Sequence, residues 1–218
     1  MLYSHGTTLQ LTQLSHAAVY QLAPSFSGLP KTLHADGNFR LRRYSVIRMV
    51  NEKVVETNKH NFVQSEEINH YQGDVIREFE GIESDILHSE GMAEMCQVFM
   101  DLNHLPNGQE IEIHQMRIAA IYEETQIAPE GVHQDGFDHI ALIGIDRSNI
   151  EGGELLVYKD SNEEPFFRKI LEDGEVAMVD DRKLWHNGKP IRLIEQGHEG
   201  HMDVFVLTAK DNLDDFHA

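Results

Sequence analysis

The residues most able to do chemistry lie between Pro129 and Ile145, in the run Pro-Glu-Gly-Val-His-Gln-Asp-Gly-Phe-Asp-His-Ile-Ala-Leu-Ile-Gly-Ile. A Pro/Gly break opens the run and an apolar, strand-like stretch closes it. Inside it, His133 and Asp135 stand two residues apart. On an extended backbone, residues i and i+2 point to the same side. An imidazole and a carboxylate can therefore reach one metal ion from this segment. Two histidines and one carboxylate are the ligand set of non-haem iron sites that leave coordination positions open to outside ligands. The pair needs one more histidine, and a sheet to hold all three together.

The spacing does not select this pair by itself. The chain has 14 histidines in 218 residues, and His-x-Asp recurs at His34/Asp36, His133/Asp135 and His201/Asp203. Context separates them. His34/Asp36 sits in a loop beside Gly37 with no returning histidine at a natural distance. His201/Asp203 opens a strand but lacks the glycines and the later histidine. Both read as structural. His139 shares an extended face with Asp135 and Phe137 and reads as a core or hydrogen-bonded residue.

The elements that must position the pair follow from periodicity. Arg40 to Met49 alternates and reads as a strand, a basic island in an acidic protein. It is either a solvated face paired with acids, or a strand that turns one arginine toward an anionic substrate group. Val75, Arg77 and Phe79 suggest a short strand. Between Ser89 and Leu102, Met92, Met95, Cys96, Phe99 and Met100 recur at helical spacing, a stripe suited to core packing. From Glu110 the pattern turns to β. Ile111, Ile113, Gln115, Arg117 and Ala119 share one strand face; Glu112, His114, Met116 and Ile118 share the other. Further strands are expected at 154–158, 166–171, 175–179 and 201–208, separated by Gly152-Gly153, Asp160–Glu164 and Asp173-Gly174. Short strands between turn signals point to a mainly β sandwich or barrel, with the helices gathered in the N-terminal half.

Bulk properties bound the function. The formal net charge is -19, which repels phosphate backbones and disfavours nucleic acid and anionic membranes as partners. A local arginine or metal can still hold a small anion. The single cysteine, Cys96, fits a reducing compartment. With no basic-then-apolar leader and no long apolar run, a cytoplasmic location without a membrane span is expected. The length suits a single domain. We expect residues 1–109 to be a helix-containing part packed on the barrel, and 110–210 to be a metal-binding β core.

The order of features resembles the double-stranded β-helix (jelly-roll, cupin-like) core of 2-oxoglutarate/Fe(II)-dependent dioxygenases. It runs His133-x-Asp135, an apolar strand, Gly152-Gly153-Glu154-Leu155, Asp173-Gly174 before a strand, then His186. Upstream, Tyr44-Ser45, Gln64-Ser65 with Asn69, Gly73, Arg77-x-Phe79 and His114-Gln115-Met116-Arg117 resemble the bacterial family that includes L-isoleucine 4-hydroxylase. The likeness covers about residues 40 to 210. It implies Fe(II) held by His133, Asp135 and His186, with 2-oxoglutarate and dioxygen as cosubstrates. The implied reaction is hydroxylation of a small molecule, with a free aliphatic L-amino acid as the substrate class, coupled to release of succinate and CO2. His186 lies 51 residues beyond Asp135, enough chain to cross a sandwich and return.

One departure stands out. The family usually has Arg-Asp at the start of the last strand, where the arginine pairs with the distal carboxylate of 2-oxoglutarate. This chain has Met202-Asp203. Arg192 and Arg117 are the candidate substitutes, with Gln115 taken beside them as a cosubstrate contact. His201 is a third candidate, although its side chain should point opposite to Met202. Other readings stay open: a different cosubstrate, a cupin-like metal-binding or sensor protein without turnover, and a β-sandwich interaction module. An oligomer is compatible with all of them.

Overall fold

The computed structural model describes residues 8–59, the backbone of 61–62, and 76–211. Gln64, Ser65, Asn69, Gly73 and Val75, part of the upstream resemblance and the strand expected beside Arg77, lie outside the described residues. In chain order the elements are β1 (Leu9–Gln13), α1 (His16–Leu22), a 3-10 turn (Ala23–Gly28), β2 (Arg40–Val50), β3 (Lys53–Glu56), β4 (Asn61–Phe62), β5 (Arg77–Glu78), α2 (Ser84–Leu87) and α3 (Glu90–Leu102). Then follow β6 (Glu110–Ala119), β7 (His139–Ser148), β8 (Ile150–Gly152), β9 (Leu155–Tyr158), β10 (Phe167–Lys169), β11 (Glu175–Asp180), β12 (Trp185–Gly188), β13 (Ile191–Leu193) and β14 (His201–Ala209).

Seven strands form one antiparallel sheet in the order β1-β11-β7-β14-β6-β2-β3. A smaller sheet, β10-β9-β12, and the ribbon β13-β8 supply the second layer of a jelly-roll. The N-terminal half does more than pack on the barrel. β1 pairs with β11 and β2 pairs with β6, so it contributes strands to the main sheet.

The main sheet has two differently employed faces. One is covered by helices. Ser15 and Ser89 cap α1 and α3 through their hydroxyls, which accept from Ala18 N at 3.1 Å and Met92 N at 3.2 Å. The methionine stripe of α3 is core, as its spacing indicates. Met92, Met95, Cys96 and Phe99 pack with Ile111, Ile113, Phe205 and Leu207 in one buried cluster. Each such side chain contributes roughly 1.5–3 kcal/mol of burial free energy. The opposite face carries Arg40, Arg42, His114, Met116, Ile118, Val204 and Val206, and it lines the cavity between the layers.

A β-bulge interrupts the alternation where β7 meets β14. Asp203 pairs with Asp146 but Val204 pairs with Gly144, so Ile145 is the extra residue on β7. One inserted residue exchanges the faces of everything beyond it. Leu142 and Gly144 line the cavity before the bulge. After it, Arg147 does so, in register with Met202.

Candidate active site

β7 is preceded by the loop that carries His133 and Asp135, and His186 lies on β12. An antiparallel bridge joins the loop to that strand: His133 N donates to His186 O, and His186 N to His133 O, both at 2.9 Å. This backbone pair sets the two imidazoles side by side, with ring centroids 4.3 Å apart. Asp135 reaches both, its Oδ1 3.5 Å from His133 Nε2 and its Oδ2 3.2 Å from His186 Nε2. One ligand atom from each residue falls in a cluster no wider than 4.8 Å.

Neighbouring groups orient these side chains. His133 Nδ1 is 2.7 Å from Gly131 O. Donation there leaves Nε2 with its lone pair toward the cluster. Gly131 has φ +77, the left-handed conformation that glycine takes without cost. Asp181, buried in the loop before β12, accepts three successive backbone N–H groups on Oδ2: Asp135 at 2.9 Å, Gly136 at 2.8 Å and Phe137 at 3.1 Å. Its other oxygen is 3.9 Å from His186 Nδ1. One carboxylate thus ties the loop of Asp135 to the strand of His186. Sequence reasoning missed it, although the acid pair Asp180-Asp181 five residues before His186 was a visible signal.

Burial pushes the Asp135 carboxyl up, but His186 and His133 outweigh it and hold the group well below the usual carboxylate range. Burial lowers His133, yet the bond and charge of Asp135 prevail and raise it to about 9. Burial and the nearby Asp135 charge push Asp181 up. Two imidazole nitrogens and one carboxylate oxygen, converging beside a cavity, suit a divalent iron that must also accept outside ligands.

The same cavity is lined by a buried basic group: Arg40, Arg42, Arg77, with His114 and Glu130. The Asp36 carboxylate, 1 % exposed, bonds Arg40 at 3.1 Å and Arg42 at 3.0 Å. Arg40 also pairs with Glu130 at 3.3 Å and donates to Ile127 O. Burial, then the charges of Arg42 and Arg77, press His114 far below its ordinary value, so its imidazole is neutral. The alternation of β2 explains the split among its arginines. Arg40 and Arg42 face inward, while Arg43 pairs with Glu80 and Glu83 outside. Asp36, read as structural, is the counter-ion that makes two buried arginines tolerable.

The structure does not bring the expected cosubstrate residues to this cavity. Gln115 lies on the helix side of β6 and donates to Ser25 Oγ at 2.7 Å. Arg117 shares that face and is held by Asp203 through two bonds of 2.7 and 2.8 Å. Arg192 is half-exposed and paired with Glu124. Strand parity disposes of the first two, and solvent of the third. His201, as expected, points away from Met202: it bonds Asp146 at 2.7 Å. His139 is hydrogen-bonded to Asp211.

The sequence profile of the 2OG-Fe dioxygenase family matches residues 23–208. The chain belongs to that family. As a 2OG-Fe dioxygenase it uses Fe(II) and 2-oxoglutarate, and it is an enzyme rather than a metal sensor or an interaction module. Solved structures share this dioxygenase's fold. A bsmA homologue from Methylobium petroleophilum PM1 is 23% identical, with TM-score 0.76, covering 90% of this chain and 82% of its own. IDO from Bacillus thuringiensis is 16% identical, with TM-score 0.72, covering 94% and 93%. The Fe(II)/(alpha)ketoglutarate-dependent dioxygenase TqaL is 12% identical, with TM-score 0.66, covering 94% and 83%. At these identities the likeness shows the fold alone. No curated protein matches the sequence. Among the described residues no helix is long and apolar enough to cross a membrane.

Proposed function

We propose that this dioxygenase hydroxylates an aliphatic carbon of a free apolar L-amino acid, with Fe(II) held by His133, Asp135 and His186. The observation that carries the reading is the composition of one cavity. The triad, the buried guanidiniums of Arg40, Arg42 and Arg77, the carboxylate of Glu130 and an apolar wall that includes Phe137, Leu142 and Val206 all face it. Guanidiniums suit a substrate carboxylate, Glu130 suits an ammonium, and the apolar wall suits an aliphatic side chain. The likeness of the upstream motifs to the family of L-isoleucine 4-hydroxylase points to the same class.

When bound, iron with 2-oxoglutarate and dioxygen supplies the oxidising power for C–H hydroxylation, chemistry that belongs to the cofactor. The protein's tasks are placement and exclusion. Gly131 O fixes the His133 tautomer, and Asp181 keeps the Asp135 loop against the His186 strand. Asp36 and Glu130 hold Arg40 in one rotamer, so a bound carboxylate meets preorganised donors. His114, kept neutral, adds a hydrogen-bonding group without another charge. The apolar wall limits water around the reacting carbon.

The test is turnover with Fe(II), 2-oxoglutarate and ascorbate against individual amino acids, reading succinate and a product 16 Da heavier. Coupled succinate with leucine, isoleucine, valine or methionine is the expected result. Hydroxylation confined to compounds without an α-amino acid head would overturn the substrate class.

A further inference from the structure

We propose that Arg147 is the anchor for the distal carboxylate of 2-oxoglutarate. The inference rests on 2-oxoglutarate being the cosubstrate of this cavity. A dicarboxylate whose keto-acid end goes to the metal leaves a second carboxylate inside a partly apolar cavity. An ion desolvated in this way needs a cation.

Four arginines line the cavity. Arg40 and Arg42 are held by Asp36 and Glu130, and Arg77 stands with them in that basic group. Arg147 stands apart. Among the described residues it has no carboxylate within ion-pair distance. Its Nη2 donates to Gly152 O at 2.7 Å and its Nη1 lies 3.6 Å from Met202 Sδ. Those contacts hold the side chain in place and leave guanidinium donors for an anion.

Two features of the chain serve this placement. The bulge at Ile145 turns Arg147 to the cavity face, where it sits in register with Met202. A cation missing from β14 is thereby supplied by the neighbouring strand. Gly153 supplies the room. A Cβ there would come within 3.1 Å of both Arg147 Nη1 and Met202 Sδ, and its φ of +79 excludes side chains without strain. The Gly152-Gly153 pair, visible in the sequence as a turn, is thus also the clearance for a guanidinium.

The test is calorimetric titration of the Zn(II)-substituted enzyme, which binds without turning over. The ligands are 2-oxoglutarate and 2-oxopentanoate, which has the same chain but no distal carboxylate. Wild type should prefer 2-oxoglutarate. Arg147→Met should weaken 2-oxoglutarate by about 10²-fold, as for truncation of one partner of a buried charge pair, and leave 2-oxopentanoate unchanged. Arg147→Lys should fall between, because it keeps the charge and loses the fork. Thermal unfolding of each variant checks the fold. Undiminished 2-oxoglutarate binding in Arg147→Met would overturn the anchor while leaving the cosubstrate intact. An equal loss of both ligands would mark Arg147 as structural and also overturn it. Wild type that binds neither ligand would instead remove the cosubstrate reading itself.

Discussion

Two clusters of histidine and carboxylate lie in this molecule, built from similar residues: His133, Asp135 and His186 in one, Asp146, His201 and Asp203 in the other. Each contains a His-x-Asp pair and a third residue from a distant segment. They differ in what occupies the middle. Arg117 fills the second cluster, gripping Asp203 with two bonds and standing 3.4 Å from His201 Nε2. The first opens on the cavity, where Arg77 is among the side chains that line the same space. An internal guanidinium holds the second group of ligands together, whereas the first group faces the cavity. Ligand types and spacing do not by themselves tell the two clusters apart; their surroundings do.

The largest way to test that difference is to break the open cluster. His186→Ala or Asp135→Ala should reduce succinate formation to the uncatalysed background and abolish stoichiometric Fe(II) or Co(II) binding. His201→Ala should keep one metal per chain. If metal survived in His186→Ala and vanished in His201→Ala, the assignment of the two clusters would be reversed.

Next in size is removal of the internal cation. Arg117→Met leaves Asp203, whose side chain is 1% exposed, without its main counter-ion. Such losses cost about 3–5 kcal/mol for fully buried pairs. Arg117 itself is 20% exposed, so we expect about 2–3 kcal/mol in denaturant unfolding, with metal stoichiometry unchanged. A variant as stable as wild type would mean that the second cluster does not depend on its arginine.

A smaller effect should follow from loosening the support of the open cluster. Asp181→Asn retains one acceptor oxygen for the three N–H groups but loses the charge. Outer-sphere changes of this kind typically cost about 10–100-fold in metal affinity. Competition against a chromophoric chelator measures it. An unchanged affinity would show that the bridge between His133 and His186 positions the ligands alone.

The smallest effect is expected at Arg192. Its exposed pair with Glu124 contributes about 0–1 kcal/mol, and Arg192→Ala should leave 2-oxoglutarate binding within twofold of wild type. A large loss would return the distal-carboxylate role to Arg192.

Much of the architecture was legible because hydrophobic periodicity reports which face of an element is buried. The alternation in 40–49 and 110–119 became β2 and β6, and the methionine stripe became the buried side of α3. The division of β6 into two faces was also right, yet alternation alone does not say which face meets helices and which meets the cavity. Gln115 and Arg117 were chosen from the helix side, whereas His114 and Met116 line the cavity. The same limit applied to Asp36. As a loop residue beside a glycine it carried no sign that the chain would return it to Arg40 and Arg42.

By itself, the sequence determined the mainly β fold and the helix that covers it, and it singled out His133, Asp135 and His186, which the fold brings together. These follow from local pattern and residue type, which a linear chain displays directly. Only the tertiary structure decided which arginines face the cavity. That choice depends on the parity of each strand, and a single extra residue at Ile145 reverses it for Arg147. It also decided that one His–Asp cluster is closed by Arg117 while the other borders the cavity. Charge compensation of that kind works over a few ångströms of space, and Arg117 and Asp203 are 86 residues apart in the chain.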